Sequence, residues 1–116
     1  MSDSPSPLGI QVDQNPSRTL VKLTGAINLR SSPELRSKLL ELLSAAAPEM
    51  VVDLTDVPYM DSSGVGTLVE LKRNVDKHKK KLTLAGMNPR VRGVFEISKL
   101  DRFFTITNGP TQPDKK

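Results

Sequence analysis

The pattern of apolar and polar positions along the chain predicts eight secondary-structure elements. Short apolar runs rich in β-branched residues predict strands at 8–12, 19–24, 50–54, 82–85 and 103–106. Between them, apolar residues at spacings of three and four predict three amphipathic helices. The three helical stripes are formed by Leu35, Leu39, Leu42, Leu43 and Ala46, by Val65, Leu68, Leu71 and Val75, and by Val91, Val94 and Phe95. The predicted order is β-β-α-β-α-β-α-β.

Capping residues predict where these helices begin and end. Ser31 is followed by Pro33 and Glu34, which predicts a hydroxyl cap with proline in the first helical turn. Pro48 is expected to close that helix, and Asn88 with a following proline is expected to begin the third.

The element order predicts an α/β fold. Strands that are linked through helices form a mainly parallel sheet with right-handed connections, and the helices bury their apolar stripes against one side of it. We expect one domain over residues 8–107, flanked by flexible polar tails over 1–7 and 108–116.

Composition excludes several classes of protein. A chain of 116 residues is long enough for one domain, and the lack of cysteine excludes disulfides and thiolate chemistry. No apolar run approaches the ~20 residues of a membrane span, and the first residues lack the pattern of a signal peptide. We therefore expect a cytoplasmic protein.

The net charge of +4 comes largely from a basic run at residues 72–81. Cations complement the negative end of a helix dipole, so this run is interpreted as the solvated end of the second helix. The chain has no tryptophan and only four Phe and Tyr residues, which argues against a stacking platform for bases. We expect no direct nucleic-acid partner and no membrane partner.

The segment DSSGVG, residues 61–66, carries the candidate chemistry. Asp61, Ser62 and Ser63 precede an amphipathic helix, where capping of unpaired N–H groups would by itself explain them. However, Gly64 and Gly66 are poor helix formers, which indicates a need for close backbone approach or for space. A serine in the first helical turn is also a favourable place for phosphate.

The longer run 51–66, VVDLTDVPYMDSSGVG, resembles the signature of STAS domains (sulfate transporter and anti-sigma factor antagonist). It is especially similar to the stand-alone bacterial anti-sigma factor antagonists. Gly25, the helix from Pro33 and the segments 88–95 and 98–100 extend the resemblance over residues 8–106. The resemblance implies a SpoIIAA-like fold, with a mixed sheet of four to five strands and helices mainly on one side.

The resemblance also implies a partner-switching function in transcription regulation. The bare protein would bind an anti-sigma factor that is a serine kinase, and so free a sigma factor. Phosphorylation of Ser63, with Ser62 as fallback acceptor, would release the kinase, and a serine phosphatase would reset the phosphoprotein. The residues expected to face the partner are Asp61, Ser62, Ser63, Gly64, Val65 and Asn28. Within this group, we expect Asp61 to orient Ser63 and Ser62 to cap the helix.

One segment departs from the family pattern. The family often has Gly-Glu-Leu-Asp after the second strand, where this chain has GAIN at residues 25–28. Ala26 and Asn28 therefore replace two acidic residues near the implied partner surface, which indicates a divergent kinase partner.

Two other binding roles fit a STAS domain. One is the STAS subunit of a lipid-transport ATP-binding-cassette system, which would copurify with an ATPase. The other is a stressosome-type scaffold, although such chains usually carry an additional sensory domain.

An enzymatic role finds little support in the sequence. His78 lies in a run of lysines, and a Gly-x-Ser-x-Gly nucleophile elbow is lacking, as is a phosphate-binding Gly-rich loop. Asp53, Asp56 and Asp61 could suggest a receiver-type pocket, but turn formation, capping and solvent exposure explain them more simply. We expect a phosphorylation substrate and binding module with no cofactor, no metal and no catalysis of its own.

Overall fold

Five strands and three helices follow one another in the order that the sequence predicts. The structure is a computed structural model that describes residues 8–44 and 47–108. The elements are β1 (Gly9–Gln14), β2 (Arg18–Thr24), α1 (Ser32–Leu42), β3 (Glu49–Asp56), α2 (Ser62–Lys77), β4 (Lys81–Ala85), α3 (Pro89–Ile97) and β5 (Thr105–Thr107).

The strands form one mixed sheet in the spatial order β1-β2-β3-β4-β5. β1 and β2 are an antiparallel hairpin, whereas β2, β3, β4 and β5 are parallel neighbours. Each parallel connection contains a helix, and each new strand is added on the same side of the last. Right-handed crossovers therefore place α1, α2 and α3 on one face of the sheet. The predicted fold class is confirmed.

Alternate strand residues form the core against the three helices. Val21, Val52 and Leu84 pair in register across β2, β3 and β4 and are fully buried. Because strand side chains alternate between the two faces of the sheet, every second residue packs against the apolar stripes of the helices on one face. The fully buried helical residues that face this sheet include Leu35, Leu39, Leu68, Val75, Val91 and Phe95.

Several strand ends differ from the sequence prediction by one or two residues, and two differences have a visible cause. The predicted strand at 103–106 begins only at Thr105, because Phe103 and Phe104 form an edge-to-face aromatic cluster with Phe95. α1 ends at Leu42, well before Pro48. Its end is satisfied by the Lys80 ammonium, which donates to the carbonyl of Leu43 at 2.9 Å.

Some sequence predictions fall outside the described residues. They concern the N-terminal tail 1–7, residues 109–116 of the C-terminal tail and Ala46 of the first helical stripe. Among the helices within 8–44 and 47–108, none combines the length and the apolar character needed to span a bilayer.

Candidate functional site

Asp61 caps the N-terminus of α2. Its backbone is extended, and its Oδ1 accepts hydrogen bonds from the N–H groups of Ser63 at 2.9 Å and Gly64 at 3.4 Å. Ser62, which the sequence analysis assigned to this cap, is instead the first helical residue and is exposed. Asp61 rather than Ser62 caps the helix because Asp61 precedes the helix by one residue, the position from which a side chain reaches the first amides.

Ser63 is joined to the same carboxylate through its side chain. Its hydroxyl donates to Asp61 Oδ1 at 2.5 Å, and its carbonyl accepts from Thr67 Oγ1 at 3.0 Å. The Ser63 hydroxyl is the main cause that lowers the pKa of Asp61; burial opposes it, and the amides of Gly64, Ser63 and Leu29 lower it further. Asp61 is thus a stable anion that orients Ser63, as the sequence analysis expected.

A second loop lies against the start of α2. Gly25 ends β2 with a φ of 109°, a conformation that favours glycine. The chain then runs beside the residues that follow β3. The Ile27 amide donates to the carbonyl of Tyr59 at 2.9 Å, and the Asp61 amide donates to the carbonyl of Ile27 at 3.1 Å. These bonds hold the loop after β2 next to the Asp61–Ser63 pair.

Asn28 organises this second loop. Its Oδ1 accepts from the amides of Arg30 at 2.9 Å and Ser31 at 3.1 Å. Ser31 makes no capping bond through its side chain, contrary to the sequence prediction, because its hydroxyl donates to the carbonyl of Ala26 at 3.0 Å. Asn28 therefore holds this loop through its side-chain oxygen without adding a charge.

The two glycines of the segment have different roles. A Cβ on Gly64 would lie 2.6 Å from Ile27 Cγ2 and from Met60 Cγ, which confirms a close approach. A Cβ on Gly66 would meet nothing within 4 Å, so packing does not require glycine there. Gly64 and Val65 are both buried. We therefore reassign them from facing a partner to supporting the loop that bears Ser63.

Two exposed apolar residues at this edge were missed by the sequence analysis. Leu29 is 75% exposed and Tyr59 is 42% exposed, and they lie on the two loops that meet at Asp61. A sequence signal existed: each is a large apolar residue within a short connection that is otherwise polar or tightly turned. This signal does not predict that the two side chains are exposed, because their exposure depends on which loops the sheet brings together.

The other candidate residues do not join this site. Asp53, for which the sequence suggested solvent exposure or capping, is buried, and its Oδ1 accepts from the Thr55 hydroxyl at 2.6 Å. Asp56 pairs with Lys22 at 3.7 Å, while His78 is exposed at the end of α2. Across the part of the chain that the structure describes, no three His, Asp or Glu residues come together as potential metal ligands.

The basic run at 72–81 is only partly solvated. Lys72 pairs with Asp76 at 2.9 Å, and its ammonium lies 5.6 Å from the centre of the Phe103 ring. Lys80 is bound to the end of α1 as described above. Several of these cations therefore join elements, in addition to complementing the helix dipole.

The STAS domain family model matches residues 9–113, so this chain belongs to the STAS domain family. Within that family it is similar to the anti-sigma-B factor antagonist of Bacillus subtilis (strain 168). The two are 33% identical over 100 residues, which cover 86% of this chain and 91% of that protein.

Solved structures share the fold. An anti-sigma factor antagonist from Mycobacterium paratuberculosis superposes with a TM-score of 0.81 at 21% identity, covering 96% of this chain and 92% of that one. The Bacillus cell fate determinant SpoIIAA, solved in its phosphorylated form, gives a TM-score of 0.67 at 21% identity, covering 84% of this chain and 90% of that one.

Proposed function

We propose that this chain is an anti-sigma factor antagonist that is switched by phosphorylation of Ser63. In its bare form it binds an anti-sigma factor serine kinase and so frees the sigma factor. The observation that carries the proposal is the position of Ser63: a half-buried hydroxyl in the first turn of α2, bonded to the Asp61 carboxylate where the loops after β2 and β3 meet. The names of its curated relatives support the same role.

The bare site suits a protein interface. The Ser63 hydroxyl is neutral, and its hydrogen is already donated to Asp61. A partner that covers this surface therefore leaves no hydroxyl hydrogen unpaired, and avoids the cost of burying an unsatisfied donor. The bonds between the two loops fix the surface before binding, which reduces the entropy cost of association.

Phosphorylation would reverse these conditions. Transfer of the γ-phosphoryl group of ATP to Ser63 Oγ releases ADP and the hydroxyl proton, so Oγ no longer donates to Asp61. The phosphate adds a charge of about −1.5 to −2 beside a carboxylate that already holds the amides of Ser63 and Gly64. The helix dipole favours the phosphate, but Asp61 repels it and directs it outward. A partner covering it would have to desolvate that charge, which favours release.

The proposal includes a serine phosphatase that removes the phosphate and restores the neutral surface. Ser62 remains the fallback acceptor, since it is exposed on the same turn. Mass spectrometry on the protein from its native host, with Ser63→Ala and Ser62→Ala variants, tests the assignment. We expect one phosphate that is lost in Ser63→Ala and kept in Ser62→Ala.

Two results would contradict the proposal. A phosphate that disappears only in Ser62→Ala would move the switch by one residue. Unmodified serines under every growth condition, together with copurification of a transporter ATPase, would favour the transporter-subunit role instead.

A further inference from the structure

Two large apolar side chains stand in solvent on the two loops that meet at Asp61. Leu29 is 75% exposed and Tyr59 is 42% exposed, whereas most large apolar residues of the described chain lie in the core. We call these two residues the Leu29–Tyr59 patch. Exposed apolar residues that cluster near a candidate site are typical of protein contact surfaces.

The backbone beneath the patch is fixed by hydrogen bonds. The amides of Arg30 and Ser31, which follow Leu29, bond to Asn28 Oδ1. The Tyr59 carbonyl accepts from the Ile27 amide at 2.9 Å. These bonds explain the shape of the loops but leave both side chains facing water. An apolar side chain on a preordered loop binds at a low entropy cost, and tyrosine is enriched among energetically dominant contacts.

A partner that contacts Ser63 through an interface of ordinary size must also contact the Leu29–Tyr59 patch. A protein interface of ordinary size covers about 800 Å² on each partner, which is a disc roughly 30 Å across. The loop of Leu29 is bonded to the Asp61 amide through the Ile27 carbonyl, the loop of Tyr59 leads directly into Asp61, and Asp61 is bonded to Ser63. Any such footprint centred on the Ser63 hydroxyl therefore includes them.

The loops also indicate the chemistry of the partner surface. Residues 25–29 and 57–60 contain no Asp, Glu, Lys, Arg or His. Contact with Leu29 and Tyr59 gains its free energy from burying apolar area, while the Asp61 carboxylate beside Ser63 supplies a charge at the same surface. The matching surface is an apolar pocket.

We propose that the Leu29–Tyr59 patch is the apolar anchor by which this chain binds its serine kinase partner. This inference rests on the proposed function, which supplies the partner, and it adds the residues and the chemistry of the contact. The Asp61 carboxylate accepts from the Ser63 hydroxyl, and the Asp61 amide donates to the Ile27 carbonyl in the loop that bears Leu29. Phosphorylation of Ser63 thus acts on the residue that also holds the loop of the anchor.

The test is isothermal titration calorimetry with the purified kinase that phosphorylates Ser63 in the native host. The variants are Leu29→Ala and Tyr59→Ala, with Ile97→Ala as a matched control. Ile97 is 86% exposed but lies at the far end of α3. That end is roughly 13.5 Å along the helix from Asn88, whose side chain bonds to the carbonyl of Val57.

We expect Leu29→Ala and Tyr59→Ala each to weaken binding about tenfold or more, equivalent to at least about 1.4 kcal/mol, and Ile97→Ala to change it less than twofold. Thermal unfolding should show that all three variants are folded. If the wild type binds the kinase and all three variants bind equally well, the anchor is wrong while the phosphorylation switch stands. If the wild type does not bind the kinase at all, both proposals fail.

Discussion

At the scale of the residue, the ionisation of the Asp61 carboxylate links the candidate site to the stability of the fold. This carboxylate has a lowered pKa, chiefly because the Ser63 hydroxyl hydrogen-bonds the charged form. The unfolded carboxyl group, with its ordinary pKa of about 3.9, binds protons in acid more readily than the folded one. The folded state is therefore stabilised above that pH, and this stabilisation is lost as the pH falls through the folded pKa.

Replacement of Asp61 by Asn tests this linkage. Asn keeps a capping oxygen, so the variant should fold, but it loses the charge-assisted bonds and should be about 1 kcal/mol less stable at pH 7. Urea unfolding at a series of pH values should show the gap from wild type narrowing below about pH 4. Glu70, whose pKa is also lowered, by Arg36, is the same in both proteins and cancels. A gap that is constant with pH would contradict the role of the Asp61 charge.

Gly64 and Gly66 provide a matched pair at the same scale. Gly64→Ala places a methyl group 2.6 Å from two buried side chains, those of Ile27 and Met60. The overpacking should cost about 1–3 kcal/mol of unfolding free energy, partly offset by better helix propensity. Gly66→Ala meets nothing within 4 Å and should gain about 0.5–1 kcal/mol. Equal stability of the two variants in urea unfolding would show that Ile27 and Met60 do not constrain Gly64.

The sequence predicted the local structure of the candidate site but not the hydrogen-bonding role of each residue within it. DSSG before an amphipathic stripe placed a cap and a first-turn serine correctly in the chain. Three adjacent residues could each cap, and one residue of helix register decided that Asp61 does so rather than Ser62. The exposure of Leu29 was not predictable, because it follows from the packing of a loop against a segment 30 residues further along.

At the scale of the element, apolar periodicity predicted the existence and type of each helix and strand better than its end points. All eight elements follow from apolar spacing, because a buried face imposes that spacing wherever it packs. The end of a helix or strand depends on individual hydrogen bonds and side-chain contacts, which the spacing of apolar residues does not reveal. α1 stops where Lys80 binds its last turn, and β5 starts late because the aromatic ring of Phe104 packs in the core.

The end of α2 contains a residue under conformational strain. Lys79 has a φ of 58°, directly after the C-terminal cap His78, and the Lys80 amide bonds back to the carbonyl of Val75. This is the position at which helices prefer glycine. Lys79→Gly should therefore raise the unfolding free energy by about 1 kcal/mol, or the melting temperature by roughly 4–8 °C.

Lys79→Ala is the control for this change. It removes the same charge near the helix C-terminus but keeps a Cβ in the left-handed conformation, so it should be no more stable than the wild type. Thermal melts followed by circular dichroism compare the three proteins. Equal melting temperatures for Lys79→Gly and Lys79→Ala would mean that the backbone conformation stores no strain.

At the scale of the whole molecule, the sheet order creates the site. β2 and β3 are parallel neighbours, so the loops that leave their carboxyl ends emerge side by side. One loop brings Leu29 and the other brings Tyr59, Asp61 and Ser63 to the same edge. Under the proposed function, a change at the Ser63 hydroxyl would act on a partner through this surface rather than through refolding.

The most direct test of this account is size-exclusion chromatography of the purified complex with its serine kinase, before and after addition of ATP with Mg²⁺. We predict that ATP dissociates the wild-type complex as Ser63 becomes phosphorylated, and that the complex of Ser63→Ala stays intact under the same conditions. The Ser62→Ala complex should behave as the wild type. A wild-type complex that persists although Ser63 is fully phosphorylated, or a Ser63→Ala complex that ATP dissociates equally well, would contradict the account.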